Sequence, residues 1–523
     1  MSVRNLFVAA LGLAILGPGL VLGQAPQAAS KPVPVPADVP YSLSLDAFTI
    51  PGLPGLHSFA IAGEPSSLVL LAGRTNGLHG FAPSTGAVQF PSFPPEYAND
   101  TVYVVDLPNR KLLGQAKVTS LPSPYANQLQ ASNVEYLLSG GFLYIVGGYG
   151  LDPKTSAMVT LPFVTAIDFD ALVTAVVAGG TLDSTFAQAH MASFQHPALA
   201  ITGGDLAAMG SSVLLIYGQQ YDGQYTPGGG PAFQEYSNSV RVLTMQASKT
   251  SAGVSLQVVY QGSVPQIQGG MDPENPYHRR DLTTKPALDP TGNPRIAVYG
   301  GVFKGGRLEG YLHPIYISPG TAPGSSLGIT VTEDTQAEQL LSQYDGAALQ
   351  VFSKAKSAMY TTFFGGISQL YWDASCGCLK LDPAHGATQG SGLPFISSIS
   401  TFRVTSSGSS QFLHQGASFP PAAGAPVCQG TNGSVTAQFL GAETKLVPAG
   451  GSAWANGVLQ LDGVPKGVVG YLVGGIAAYC PPGGENAYRC NASTQGASCA
   501  SNQIYAMTLD PGTPTPTVLL KAP

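Results

Sequence analysis

One pattern constrains this chain more than any other. A short run of β-branched, aliphatic and aromatic residues ending in glycine recurs along nearly its whole length, as Leu68–Gly73, Leu143–Gly148, Val213–Gly218, Ile296–Gly301, Tyr360–Gly366 and Val468–Gly475. Runs this short, bounded by turn formers, read as strands and carry no helical period. Downstream of the copies lie further strand-like runs: Thr101–Asp106, Val164–Asp168, Ser239–Met245, Pro314–Ile317, Ile396–Phe402 and Gln503–Met507. Each unit therefore holds several strands, and units that repeat in this way bury their apolar faces against their neighbours. Glycine at the strand end admits positive φ and a close approach of another backbone. Other diglycines, among them those at 140–141, 179–180, 203–204 and 450–451, lack the preceding apolar strand and stand outside the pattern.

Strand, diglycine, polar loop and second strand together resemble the kelch repeat, which forms the blades of β-propellers. The resemblance implies an all-β fold, a six-bladed β-propeller with kelch-like blades and long loops, closest to secreted members of the galactose oxidase/kelch-like superfamily with no assigned activity. A kelch unit runs to about 50 residues and also carries a Tyr and a Trp at set places, whereas this chain has only Trp372 and Trp454. That departure points to long loops between strands. A jelly roll or sandwich is the competing all-β architecture and leaves six copies unexplained. The best helical segment is Thr335–Tyr344, and Leu43–Phe48 and Thr517–Lys521 are the strands available to close a ring.

The N-terminus reads as a signal peptide over residues 1–25, with an apolar run from Leu6 to Leu22 interrupted by Gly17, Pro18 and Gly19. An Ala/Pro-rich linker follows over 26–42, Ala28–Pro40 being an extended tether, and the propeller occupies 43–523. The expected setting is secreted, periplasmic or at the cell surface, a bacterial envelope being favoured, with no stable membrane insertion after cleavage. All six cysteines, Cys376, Cys378, Cys428, Cys480, Cys490 and Cys499, fall in the last third and suit disulfides in an oxidising compartment. Fifteen pairings are open. Asn99, Asn432 and Asn491 head glycosylation triplets.

Only 10% of residues are charged and the net charge is −6, which argues against a nucleic-acid partner, while 44% hydrophobic residues exclude charge-driven disorder. The eight histidines form no H-x-x-x-H or H-x-H pair, so no metal site and no cofactor are expected. A copper centre like that of galactose oxidase, which needs two Tyr, two His and a Tyr-linked Cys, does not fit. Metalloprotease and P-loop motifs are also missing, and the one G-x-S-x-G match, Gly324–Gly328, is a Gly/Ser-rich stretch with no strand-like run directly before it.

The densest ionisable cluster is Tyr277-His278-Arg279-Arg280-Asp281. An arginine fork matches a carboxylate or sulfate, although ion pairs to neighbouring units would explain the same cluster. Adjacent residues on extended backbone point to opposite sides, so at most one of the two arginines faces a ligand. The kelch resemblance implies that loops after the diglycine strands share one face at the channel mouth. It thereby nominates Arg74, Asn76, His79, Tyr149, Asp152, Gln219, Tyr221, Asp222 and Lys304, with Tyr225 beside them; the tyrosines either stack on sugar rings or pack between blades. The expected function is a monomeric module binding a glycan or protein ligand. The alternative is a carbohydrate-active enzyme such as a sugar mutarotase or epimerase: the periplasmic sialic-acid mutarotase, another kelch propeller, needs only an Arg and a carboxylic acid near its channel. Here Arg279 or Arg280 would hold an anionic sugar and Asp222 or Asp281 would act as acid/base.

Overall fold

A computed structural model describes residues 38–523 apart from 79–92, 226–232, 266–273, 321–326, 382–392, 418, 420–426, 431–432, 437, 479–488 and 491–497. The protein is all-β. Every recurrent run is a strand, and so is every downstream partner.

Among the described residues, six sheets of four or more strands follow one another along the chain. The first contains Ala60–Ala62, Leu68–Leu71, Thr101–Asp106 and Lys111–Lys117; the second Glu135–Ser139, Phe142–Val146, Phe163–Asp168 and Met191–Gln195. Asp205–Met209, Ser212–Ile216, Val240–Thr250 and Gly253–Val264 make the third, and Arg280–Leu288, Pro294–Val302, Ile315–Pro319 and Ile329–Glu333 the fourth. The fifth is built on Ala347–Ser353, Ala358–Ile367, Phe395–Thr405 and Gly408–His414. In the sixth, Lys445–Pro448, Gly467–Val473 and Ile504–Asp510 are completed by Ser42–Phe48 from the other end of the chain. Within each sheet the four strands just named pair in order, antiparallel, with the recurrent run second.

The apolar runs are continuous, not alternating, because both sheet faces are buried. In Phe142–Val146 the two-residue period divides the side chains between two cores. Leu143 and Ile145 join a cluster with Val69, Leu71, Val102 and Val104 of the first sheet. Phe142, Tyr144 and Val146 join Leu206, Val213 and Leu215 of the third. The same division continues from third to fourth sheet, fourth to fifth and fifth to sixth. Val447, Tyr471 and Val473 of the sixth sheet then meet Leu68, Leu70 and Tyr103 of the first.

Several sequence expectations are corrected. Thr335–Tyr344 is not a helix. Its backbone finds tertiary partners instead: Gln339 N–H donates to Leu312 O at 2.8 Å, Leu341 N–H to Gln411 Oε1 at 2.9 Å and Ser342 N–H to Ser368 Oγ at 3.2 Å. Helices occur where none was expected, at Phe169–Val177 and Ser184–His190, capped by Asp168 and Asp183. Leu172 and Val176 of the first helix pack into the core between the first two sheets. Thr517–Leu519 does not meet Ser42–Phe48; it adds to the outer edge of the fifth sheet beside Gly408–His414. The tether also ends earlier than expected, for Val39 is fully buried and Asp38 pairs with Arg403 at 2.6 Å. Asn99 is buried with its amide donating to Ala72 O and Thr101 O, which removes it as a glycosylation acceptor on the folded chain. Asn432 and Asn491 lie outside the described residues. Cys376 and Cys378 form a disulfide and Cys499 is also disulfide-bonded. The side chains of Cys428, Cys480 and Cys490 lie outside the described residues.

Candidate functional site

Two conformational signatures recur in all six sheets. The residues closing the recurrent runs come as pairs with positive φ: Ala72-Gly73, Gly147-Gly148, Tyr217-Gly218, Gly300-Gly301, Gly365-Gly366 and Gly474-Gly475. Two successive left-handed residues turn the chain sharply, and diglycine meets that need without side-chain strain. Close approach adds a second reason at Gly147, where a Cβ would strike the carbonyl oxygen of Ile201. The second signature lies at the entry to the first strand of each sheet, where Ser58, Asn133, Gly203, Asp281, Asp345 and Glu443 all have φ between 49° and 69°.

These entry residues are hydrogen-bonded from sheet to sheet. Asn133 N–H donates to Ser58 O at 3.1 Å, Asp281 N–H to Gly203 O at 2.7 Å, and Glu443 N–H to Asp345 O. Ser58 in turn donates from both its backbone N–H and its hydroxyl to the Glu443 carboxylate, each at 3.0 Å. Together with the strands they open, the entry residues line a polar cavity of about 190 Å³.

Five carboxyl groups line that cavity: Glu135, Asp205, Asp281, Asp345 and Glu443, with Lys285 and Lys445 among them. Burial pushes Glu135 well above the usual carboxylate range, although Gly204 N–H donates to its Oε1 at 2.8 Å. Burial and the neighbouring Glu443 raise Asp345 similarly, and burial raises Asp205 against the pull of Lys285. Burial also lowers Lys285, whereas for Lys445 the burial penalty is outweighed by Tyr136, Glu443 and Asp345, which raise it. Among the described residues no group of three or more His, Cys, Asp or Glu is placed to hold a metal ion.

A second, smaller cavity of about 50 Å³ shares Gly203 and Asp281 with the first. Its walls come from the hairpins that follow the glycine pairs of the second and third sheets, Tyr149–Leu151 with Met158–Thr160 and Gln219–Asp222 with Phe233–Tyr236. Tyr149 packs edge-on to Phe93 at 5.1 Å and to Tyr221 at 5.8 Å, and Tyr221 meets Tyr225 at 5.1 Å. The Tyr149 hydroxyl donates to Gly223 O at 2.6 Å and accepts from Tyr225 N–H at 3.0 Å, which fixes the wall. Arg280 also lines this cavity. It is 6% exposed and sits over the Phe303 ring at 4.4 Å. Its Nη2 reaches the Tyr225 hydroxyl at 3.4 Å. Nε lies 3.5 Å from Asp281 Oδ2, an ion-pair distance, yet neither Nε nor Nη1 makes a hydrogen bond among the described residues. Burial alone would lower this guanidinium, but Tyr236, Tyr225 and Asp281 hold it above its ordinary value. Burial pushes Asp281 up against Arg280, to about 6.

The structure thus brings together Arg280, Asp281, Tyr149, Tyr221, Tyr225 and Gln219. The other nominated residues stand apart. Arg279 is fully buried, donating to Pro276 O, Gly300 O and His313 O at 2.6, 3.0 and 2.9 Å, with its guanidinium over Tyr311; it clamps backbone and lines neither cavity. His278 stacks on Tyr236 at 3.7 Å and contacts Asn238 Oδ1. Arg74 donates to Pro94 O and Asn76 Oδ1 and lies over Phe93, behind the aromatic wall. Asp222 accepts from Gln220 Nε2 and Thr160 N–H, Asp152 caps its own turn, and half-buried Lys304 lies in the turn after the fourth sheet's glycine pair. His79 is outside the described residues. Sequence reasoning missed Glu135, Asp205, Asp345, Glu443, Lys285 and Lys445. For Asp345 and Glu443 the available signal was a turn former or acid recurring just ahead of the first strand; Glu135, Asp205, Lys285 and Lys445 lie within first strands.

No protein-family model matches the chain, and no curated protein matches it. Among solved structures the chain is similar to YjhT, at 10% identity over 83% of this chain and 97% of that one, with a TM-score of 0.40. A likeness at that score assigns neither fold nor activity.

Proposed function

We propose that the six sheets are the blades of a closed kelch-like β-propeller, and that the protein is an exported module binding an acidic glycan at the Arg280 cavity. Support for the closed ring comes from the shared cores of consecutive sheets, the core joining the sixth to the first, and the repeated pair of left-handed signatures. In that arrangement the larger cavity is the central channel and the aromatic cavity opens beside it.

The observation that carries the binding reading is Arg280, a buried guanidinium with two N–H-bearing nitrogens lacking hydrogen bonds, in a pocket walled by four aromatic rings. An unmet buried donor costs about 1–3 kcal/mol, more when charged. A carboxylate meets that demand with charge-assisted bonds, and tyrosine faces suit the apolar side of a sugar ring. A sugar acid offers both partners at once, an anion for Arg280 and an apolar ring face for the tyrosines, which favours an acidic glycan over a protein ligand. The test is an array of neutral and acidic glycans probed with the native chain and with Arg280→Ala and Asp222→Asn. Acidic glycans should bind, Arg280→Ala should abolish that binding, and Asp222→Asn should leave it intact. Acidic-glycan binding that survives Arg280→Ala, or a native chain that binds none, would overturn the reading.

A further inference from the structure

We propose that the Cys376–Cys378 disulfide is an exchange site: a reversible dithiol/disulfide couple on the hairpin after the fifth sheet's glycine pair, reacting with an external dithiol. The bond joins residues only two apart. Closing so small a loop removes little freedom from the unfolded chain, since loop-closure stabilisation grows with the span enclosed. The hairpin also has other means of holding its shape. Asp373 Oδ1 accepts from both the N–H and the hydroxyl of Ser375, at 2.8 and 2.6 Å, and Asp373 Oδ2 pairs with Lys380 at 2.6 Å. Gly377, at φ 63°, donates its N–H to Asp373 O at 2.8 Å. Below the tip, Leu370, Tyr371 and Leu379 are buried in a cluster with Leu340, Ile396 and Leu413. The turn is therefore fixed by hydrogen bonds and packing that do not involve sulfur.

Access is the second requirement for exchange. Cys376, Gly377 and Cys378 are all partly exposed, with the exposed Ala374 and Ser375 preceding them. The hairpin Leu370–Asp373/Cys378–Leu381 follows its glycine pair as the hairpins carrying Tyr149 and Tyr221 follow theirs. It thus occupies the corresponding end of its own sheet. In the reaction a thiolate of the partner attacks one sulfur, forming a mixed disulfide and releasing the other cysteine as a thiolate, which takes up a proton. The partner's second thiolate then displaces the remaining cysteine. The Cys376–Cys378 bond is reduced by two electrons to two thiols while the partner dithiol is oxidised to a disulfide, so atoms and electrons balance without a further reagent.

The experiment incubates the native full chain in millimolar glutathione and, separately, dithiothreitol as the probe dithiol. Free thiols are trapped by alkylation at timed points and the peptide spanning 371–380 is mapped by mass. The expected result is stoichiometric alkylation of Cys376 and Cys378 within minutes, with circular dichroism unchanged and Cys499 unlabelled. The double variant Cys376→Ser/Cys378→Ser should keep the native melting temperature within about 2 °C, and Cys378→Ser, treated with oxidised glutathione instead, should form a mixed disulfide at Cys376 with release of one reduced glutathione. A bond that resists both reagents in the folded protein would overturn the proposal. So would a loss of about 5 °C or more in the double variant, which would make the disulfide a structural staple.

Discussion

At the scale of single residues, the glycine pairs separate two physical demands that sequence merges. Gly140 and Gly147 have nearly the same φ, 60° and 62°, but a Cβ at Gly140 would meet nothing within 4 Å whereas one at Gly147 would collide with the carbonyl of Ile201. Gly140→Ala should therefore carry only the left-handed penalty, about 1 kcal/mol. Gly147→Ala adds a backbone clash between sheets and should cost about 3 kcal/mol or more. Thermal melting of the two variants makes the comparison, and equal losses would mean that conformation alone explains the glycines. The arginine pair teaches a related lesson. Opposed side chains on extended backbone were legible from sequence, but nothing in the letters distinguished Arg279, whose donors are taken up by three carbonyls, from Arg280, whose donors are not. That difference depends largely on the carbonyls of residues 300 and 313, which approach only once the fourth sheet has formed.

At the scale of elements, strand identity was written locally and strand partnership was not. Every recurrent run became a second strand because continuous apolar residues need burial on two faces, a requirement visible in the run itself. The choice between Ile504–Asp510 and Thr517–Leu519 as partner for Ser42–Phe48 had no local signal. It is settled by a seven-residue register, Ser42 opposite Asp510 through Phe48 opposite Ile504, that carries Leu43 and Leu45 against the core containing Tyr505, Met507 and Leu509. Removing residues 38–48 should bare the edge of Ile504–Asp510, and an unpaired apolar edge recruits other chains. The monomer peak in size-exclusion chromatography should fall by more than half, whereas removing the exposed Lys521–Pro523 should leave it unchanged. Thr335–Tyr344 shows the converse. Its helix-favouring residues are overruled because Leu312 O, Gln411 and Ser368 satisfy its backbone in an irregular path.

At the scale of the whole molecule, low overall charge conceals a concentration of carboxyls in one cavity. Glu135, Asp205, Asp281 and Asp345 are all held above their ordinary values. The folded chain thus binds more protons than the unfolded one between the ordinary carboxylate value near 4 and the raised values. Stability from these groups is fully present below about pH 4 and is lost as pH rises through the folded values, about 6 for Asp281. Asp289 and Asp373 act oppositely, since hydrogen bonds and, for Asp373, Lys380 hold them down at about 2, and their contribution is lost only as pH falls toward that value. The melting temperature should accordingly peak between about pH 4 and 6 and decline toward pH 8. Asp345→Asn should flatten the decline and gain about 1 kcal/mol at pH 8, and a profile that rises from pH 5 to pH 8 would refute this assignment. The sequence by itself determined the strands, the sixfold recurrence and the need for glycine where the chain turns left-handed, because these follow from side-chain period and backbone sterics within a few residues. Only the tertiary structure decided which strand closes the sixth sheet, which arginine keeps unmet donors and which acids share a cavity. Those depend on groups that are far apart in the chain and become neighbours only when the sheets pack, and both burial and the unmet donors arise from that packing.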